Sequence, residues 1–356
     1  MARIVSIVDI FSFTHCFLCL PLLYRLIMFG GAVPILEKQV LKRLQSLSDK
    51  QIMSVGSSLA NINSLSETVF RSLRDEGTSR GRLLDANHAS STHSFNRLID
   101  SVPVVFENSD MAILCKPAGM VVSLDEDLGA NQERRKEIHR SVGGASPEFQ
   151  YLLSMASPLP ISRMPQFGFG ILHRLDRETS GALFVAKRFE AFYDLRLQFA
   201  CGKVLKEYTA LALGWIDSLN EPVCIDSRIS TVKKLSKNNA WNIASKISDD
   251  GNGMHALTEV TPVAHLIDPQ TTARVTLIRA RIHTGRSHQI RVHLASIGHP
   301  LMNDAKYGSR GVADERIFLH ASRVEFLLPG NNSLTGIDSP LTDDFHQRIQ
   351  GMQLVR

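Results

Sequence analysis

Apolar positions recur along this chain with two different periods, and the change between them divides it. Ile35, Leu36, Val40, Leu41 and Leu44 fall at helical spacing, and Ile52, Val55, Leu59, Ile62, Val69 and Phe70 do so less cleanly. That pattern predicts two amphipathic helices before residue 74. From residue 102 onward strands predominate. Residues 102–106 and 111–115 flank a Glu-Asn-Ser-Asp turn and predict a hairpin. Residues 182–186 form a short apolar strand, after which Phe189, Phe192, Leu195 and Phe199 mark a helix ending near Gly202. Residues 204–213 and 274–282 alternate with the period of two that a half-buried strand requires. A further helix is expected over 287–297, with Ser287 as cap, Ile290, Leu294 and Ile297 on the inner face, and Gly298 as left-handed terminator. Residues 317–328 supply a final strand. Periodicity alone therefore supports an α+β chain.

The polar and apolar stretches between these elements suggest the domain organisation. Residues 79–96 are rich in Ser, Asn, His and Arg and read as a linker. Residues 125–168 are long and polar, with one helix expected at 149–155 and with Pro158, Pro160 and Pro165 as breaks. Residues 4–24 are mostly apolar, interrupted by Asp9 and His15. A spanning helix needs about 20 apolar residues, so this run is borderline in length and Asp9 counts against insertion. Asp9 is also the only acid before Glu37, which favours an organelle leader, such as a mitochondrial one, over a secretory signal or a mispredicted start. The expected division is a leader over 1–36, a helical extension and linker over 37–100, a self-contained catalytic domain over 101–330 and a tail over 331–356.

Composition narrows the class without deciding it. A hydrophobic content of 44% allows a large core, and 21% charged residues is ordinary for a globular chain. Lys plus Arg total 40 against 35 Asp plus Glu, a net charge of +5 that is compatible with a phosphate backbone as partner. The odd count of 5 cysteines argues against a disulfide framework and for a reducing compartment. Cys16 and Cys19 form a pair with no second pair to complete a zinc site. Cys115, Cys201 and Cys224 are expected as small buried hydrophobes.

The chemistry is concentrated in a few short runs. His173-Arg174-Leu175-Asp176-Arg177-Glu178-Thr179-Ser180-Gly181 sets one carboxylate between two arginines and follows it with a turn. Alone, this could be a surface ion pair of little energetic worth. Further runs occur at Lys116-Pro117-Ala118-Gly119, along residues 203–214 around Lys206-Glu207-Tyr208, and at Leu319-His320-Ala321. The longest is His283-Thr284-Gly285-Arg286-Ser287-His288-Gln289-Ile290-Arg291-Val292-His293-Leu294, continued by Gly298-His299-Pro300-Leu301 and by Asp304 with Tyr307-Gly308. Taken together and in this order, these runs resemble the RluA-type pseudouridine synthases over roughly residues 101 to 330.

That resemblance implies a mixed, largely antiparallel sheet with a central catalytic cleft and flanking helices, preceded by a helical or disordered N-terminal extension. It implies isomerisation of uridine to pseudouridine in structured RNA, ribosomal or transfer, without metal or organic cofactor. Asp176 matches the nucleophile, Arg291 the arginine that pairs with it, and Tyr208 the ring that stacks on uracil and later takes the C5 proton. Arg174 matches the residue that enters the RNA stack in place of the flipped base. Arg286, Lys203 and Lys206 would join Arg174 in one continuous basic rim for RNA. His173 would brace the Asp176 loop within that RNA-binding region, and Lys116 and Pro117 would shape a loop beneath the cleft. A monomer with no membrane role is expected. Two other readings compete. A catalytically silent RNA-binding or assembly factor on the same fold would have no need of Asp176, Tyr208 and Arg291. A metal-dependent hydrolase built on His283, His288, His293 and His299 is disfavoured, because 288 and 293 do not share a helix face.

Overall fold

The computed structural model describes residues 38, 40–42, 44–61, 66–87, 102–122, 159–235, 241–248, 252–308 and 316–356. The apolar leader and the helix expected at 149–155 lie outside these residues. The strands are β1 (Val104–Glu107), β2 (Met111–Lys116), β3 (Ser180–Ala186), β4 (Leu205–Leu213), β5 (Val223–Leu235), β6 (Trp241–Ile247), β7 (Met254–Ile267), β8 (Arg274–Ile282), β9 (Leu319–Leu327), β10 (Leu334–Asp338) and β11 (Gln353–Leu354). The helices are α1 (Asp49–Asn61), α2 (Glu67–Asn87), α3 (Phe189–Ala200), α4 (Gln289–Ser296) and α5 (Asp343–Gln350).

All eleven strands join one sheet in the order β1-β2-β3-β9-β4-β8-β7-β5-β6, with β10 on β9 and β11 on β7. Every pairing is antiparallel except that of β3 with β9, where Ser180 faces His320 and Gly181 faces Ala321. β3 is buried at all seven positions, as its unbroken apolar run requires of a central strand. At the junction Gly181 holds φ 109°, and a Cβ there would sit 2.3 Å from the Ala321 carbonyl oxygen. No side chain fits, so the two halves of the sheet meet backbone to backbone directly after the Asp176 turn.

The expected hairpin, the strands at β3, β4, β8 and β9, and α3 all form within two or three residues of their predicted bounds. Two helix-end details bear on the site. Helix α4 begins at Gln289 with His288 as its N-cap, where Ser287 was expected. At its other end Gly298 and His299 donate their N–H groups to Ala295 and Leu294, the paired bonds that close a helix on a left-handed residue. The long strands β5, β6 and β7 were not anticipated from the pattern. Cys224, expected to be buried, is exposed on β5, whereas Cys115 and Cys201 are buried.

The N-terminal helices are part of the catalytic core, contrary to the expected division. Helix α2 runs through Asn87, so residues 79–87 are helical rather than linker. Asp85 on that stretch accepts N–H bonds at 3.0 Å from Phe189 and Glu190, satisfying the first-turn donors of α3. Gly81 allows the approach, since a Cβ there would meet the Glu190 backbone at 2.4 Å. Arg74 makes a buried two-point ion pair with Asp194 of α3. Val55, Leu59, Phe70 and Leu73 then share one apolar cluster with Leu197 and Cys201. The helices bury their apolar face against α3 because that is the apolar surface beside them.

The expected tail is likewise integrated. β10 and β11 pair with β9 and β7, whose outer edges would otherwise leave backbone groups unpaired. Phe345 of α5 is fully buried with its ring 5.4 Å from Phe318, and Arg348 reaches the buried Asp268 at 3.0 Å. Among the described residues no helix is long and apolar enough to cross a membrane.

The Arg74→Met substitution should expose how strongly α2 is coupled to the sheet domain. Removing one partner of a buried pair leaves Asp194 uncompensated and should cost about 3–5 kcal/mol. Urea denaturation should show the midpoint falling with unchanged slope. An unshifted midpoint would mean that α2 docks without help from this pair.

Candidate active site

The Asp176 loop is held from below. Lys116, at the end of β2, is completely buried, and its Nζ donates to the carbonyls of Pro117, Met120 and Arg177 at 2.8, 2.9 and 3.1 Å. Gly119 N–H donates to the Arg177 carbonyl at 2.8 Å, and Arg177 Nε donates back to the Gly119 carbonyl at 3.2 Å. Burial pushes the Lys116 ammonium down to about 8, although Glu178 and Asp176 favour its charged form. The Lys-Pro-Ala-Gly loop expected beneath the cleft is therefore stitched to the Asp176 turn, which closes with Thr179 N–H on the Asp176 carbonyl at 3.1 Å.

Above this loop opens a cleft of about 1000 Å³. It is lined by the turn before β3, by β4, by the C-terminal end of α3, and by the 283–291 segment linking β8 to α4. Asp176, Tyr208 and Arg291 all line it, although they come from three separate stretches of chain. Tyr208 is buried on β4, between Ala280 of β8 and Ala321 of β9. Burial, and then the Asp176 charge, raises its pKa and keeps the phenol protonated.

Arg291 makes its strongest contacts away from Asp176. Its Nε and Nη2 donate to the two oxygens of Asp304 at 2.7 and 2.8 Å, and Asp304 is fully buried. Its Nη1 then points at Asp176 Oδ2 from 3.6 Å. The guanidinium lies 5.1 Å from the centre of the Tyr307 ring. Burial works against its charge, but the bonds and charge of Asp304, followed by the charge of Asp176, raise its pKa overall. The expected Arg291–Asp176 contact is present as the weaker arm of a three-residue arrangement. Asp304 and Tyr307 stand in the same run of sequence, but no role for either is evident from the motif alone. An acid 13 positions after Arg291 in an otherwise basic run was the available signal.

The segment carrying His288 and Arg291 is fixed by Gln289, another residue passed over in the sequence. Its Oε1 accepts bonds from Thr284 Oγ1 at 2.7 Å and Arg286 N–H at 3.0 Å. Its Nε2 donates to the Leu257 carbonyl at 3.0 Å and to Thr258 Oγ1 at 2.9 Å. All the amide's principal bonding directions are used, so the loop is tied to β7 on the floor of the cleft.

The residues expected to meet RNA separate into two groups. Arg174, Arg286, Lys206 and His173 line the cleft. Arg286 donates through Nε to the His255 carbonyl at 2.9 Å. Lys206 lies over the Phe199 ring at 6.0 Å, and its pKa is pushed down to about 8 by burial and then by Arg286. His173 stacks on Phe199 and accepts the Phe184 N–H at 3.2 Å. Burial, then the Lys206 charge, holds this imidazole down at about 3, so it is neutral. Lys203 is exposed but is not among the cleft-lining residues, and its ammonium stands 5.4 Å from the Phe70 ring, at the seam with α2. Phe70 belongs to the docked helix α2, which was expected outside the catalytic domain. The four histidines once weighed as metal ligands face separate partners: Glu259 for His283, Tyr307 for His288, Thr258 for His293 and the Leu213 carbonyl for His299.

The chain is similar to known proteins. Residues 110–296 match the RNA pseudouridylate synthase family model. Ribosomal large subunit pseudouridine synthase C of Vibrio cholerae is 28% identical over 260 residues, covering 70% of this chain and 69% of that protein. Ribosomal large subunit pseudouridine synthase D of Zymomonas mobilis is 30% identical over 250 residues, covering 68% and 69%. The solved structure of human RNA Pseudouridylate Synthase Domain Containing 1 overlaps 68% of this chain and 84% of its own, with 25% identity and a TM-score of 0.49. With more than half its length matched by the family model, the chain belongs to the RluA-type RNA pseudouridine synthases and is an isomerase acting on RNA.

Proposed function

We propose that this enzyme isomerises a uridine of structured RNA with Asp176 as nucleophile, and that large-subunit ribosomal RNA is its substrate. The observation that carries the first part is the convergence of Asp176, Arg291 and Tyr208 on one cleft from three separate stretches of chain. The similarity to ribosomal large subunit pseudouridine synthases supports the second over transfer RNA.

The chemistry needs no electron source or sink. The N1–C1′ bond breaks, the uracil turns, and C5 bonds to C1′. C5 loses a proton and N1 gains one. A carboxylate can assist by attack at C1′ or at the ring, and both routes use the same residue. Arg291 places a cation 3.6 Å from the Asp176 carboxylate. Tyr208 offers a flat face to the uracil, and its protonated phenol favours this stacking role over that of proton acceptor. Arg174 is exposed at the mouth of the cleft, a suitable place for a side chain that fills the gap left by an extruded base. Lys206 and Arg286 supply cations for backbone phosphates. The leader, which precedes the described residues, would direct the enzyme to an organelle.

Asp176→Asn should abolish tritium release from RNA labelled at uridine C5 while leaving RNA affinity nearly intact. Activity within about tenfold of the parent would put only about 1.4 kcal/mol of barrier at stake, too little for a nucleophile.

Double-mutant cycles should rank the two partners of Arg291. The coupling of Arg291 with Asp304 should exceed that with Asp176, because Asp304 is fully buried and the Asp176 side chain is 25% exposed. Arg291→Met should cost about 3–5 kcal/mol in urea denaturation. Equal couplings would place Asp176 in the structural pair rather than beside it.

Lys206 predicts a pH signature. Its ammonium is half-titrated near 8 in the free protein, and a phosphate contact requires the charged form. RNA affinity should therefore fall as pH rises from about 7 to about 9, by up to about tenfold per unit at the upper end. Lys206→Arg keeps its charge throughout and should remove that slope. Anisotropy titrations showing the same slope in both proteins would exclude Lys206 as the source.

A further inference from the structure

The two side chains that face the Asp176 carboxylate converge on one of its oxygens. Arg291 Nη1 lies 3.6 Å from Oδ2, and His288 Nε2 lies 4.0 Å from the same atom. His288 is placed there by an unusual backbone. It is the N-cap of α4 and holds φ 55°, ψ 23°, a left-handed conformation that a residue with a Cβ adopts only when its surroundings impose it. Its side chain does not cap the helix and turns instead toward Tyr307.

The Tyr307 contact bears on which nitrogen carries the proton. His288 Nδ1 is 2.6 Å from Tyr307 Oη, and that oxygen already accepts the Ser245 N–H at 2.9 Å. The phenolic proton is then available to donate to Nδ1, leaving the imidazole N–H on Nε2, toward Asp176. The opposite tautomer would aim a ring lone pair at a carboxylate. Burial holds His288 down at about 4; Asp176 and Asp304 favour its charged form, while Arg291 and Lys306 oppose it. The ring is thus neutral near neutral pH, with a single N–H to place.

We infer that His288 is a positioning residue for the isomerisation: locked by Tyr307 with its proton on Nε2, it joins Arg291 in restraining Asp176 Oδ2 and leaves Oδ1 to face the uridine. The inference rests on Asp176 as nucleophile, and holds for attack at either the sugar or the ring. The 4.0 Å separation is longer than a hydrogen bond in the free protein, and catalytic contacts commonly tighten only when substrate binds.

The test combines a spectroscopic and a kinetic measurement. Nitrogen-15 shifts of the His288 ring in the wild-type protein should show Nε2 protonated and Nδ1 unprotonated near neutral pH. Tyr307→Phe keeps the ring beneath Arg291 but removes the hydroxyl, so it should give mixed tautomers. Its single-turnover rate should fall about tenfold while its RNA dissociation constant changes less than about twofold. His288→Gln, which can place an amide donor near the Nε2 position, should retain more of the rate than His288→Leu. An Nδ1-protonated ring in the wild-type protein would overturn the inference, whatever the variants do to folding. So would a parent-like single-turnover rate in Tyr307→Phe. Asp176→Asn separates the two layers of argument: if it is fully active, the nucleophile reading fails. If it is inactive while His288→Leu and Tyr307→Phe turn over normally, only the role of His288 falls.

Discussion

Arg291 stands between two carboxylates, and the active site depends on how it divides itself between them. Two of its nitrogens are committed to Asp304, which is buried completely and can hold its charge there only against a cation. The third nitrogen is left to face Asp176. A lone arginine on α4 could swing toward solvent, and a lone aspartate on a turn would be poorly placed. The Asp304 pair removes that freedom, so the charge opposite Asp176 is present before substrate arrives. Pre-placed charge of this kind costs no reorganisation during the reaction.

The same economy applies to the backbone around the cleft. Lys116 gathers three carbonyls from two loops, and Gln289 joins a third loop to β7. Lys116 lies outside the cleft lining, and the Gln289 amide is taken up by bonds to the protein. Each converts a flexible connection into a defined wall by satisfying backbone groups that would otherwise be buried without partners. The parallel seam at Gly181 and Ala321 completes the frame, bringing the Asp176 turn against the strand pair that presents Tyr208.

Helices α1 and α2 extend this frame to one side. Ser57 and Ala60 of α1 contribute to the cleft wall beside Cys201 and Gly202. Their docking is specific, through the Arg74–Asp194 pair and the Asp85 cap on α3. A disturbance in the N-terminal helices can therefore reach the cleft through α3, whose Phe199 carries both His173 and Lys206.

Much of the molecule was legible in the sequence because local patterns carry their own geometry. The apolar run at β3, the alternation along β4 and β8 and the Gly298 stop each state an element directly, and the short motifs around Asp176, Tyr208 and Arg291 carried the family. Three of the features that were not legible share a common reason. Residues 79–87 are polar because one face of α2 meets solvent, and a polar helix face and a linker have the same composition. The C-terminal stretch appeared to be a tail because its apolar residues are few, yet it completes two strand edges. Arg291 was assigned to Asp176 because a motif names residues without ranking their contacts. The sequence by itself determined the elements with a clear local period and the chemical groups available. Only the tertiary structure decided that Asp304 takes the larger share of Arg291 and that Lys203 faces Phe70, because those outcomes depend on which surfaces distant segments bury against one another.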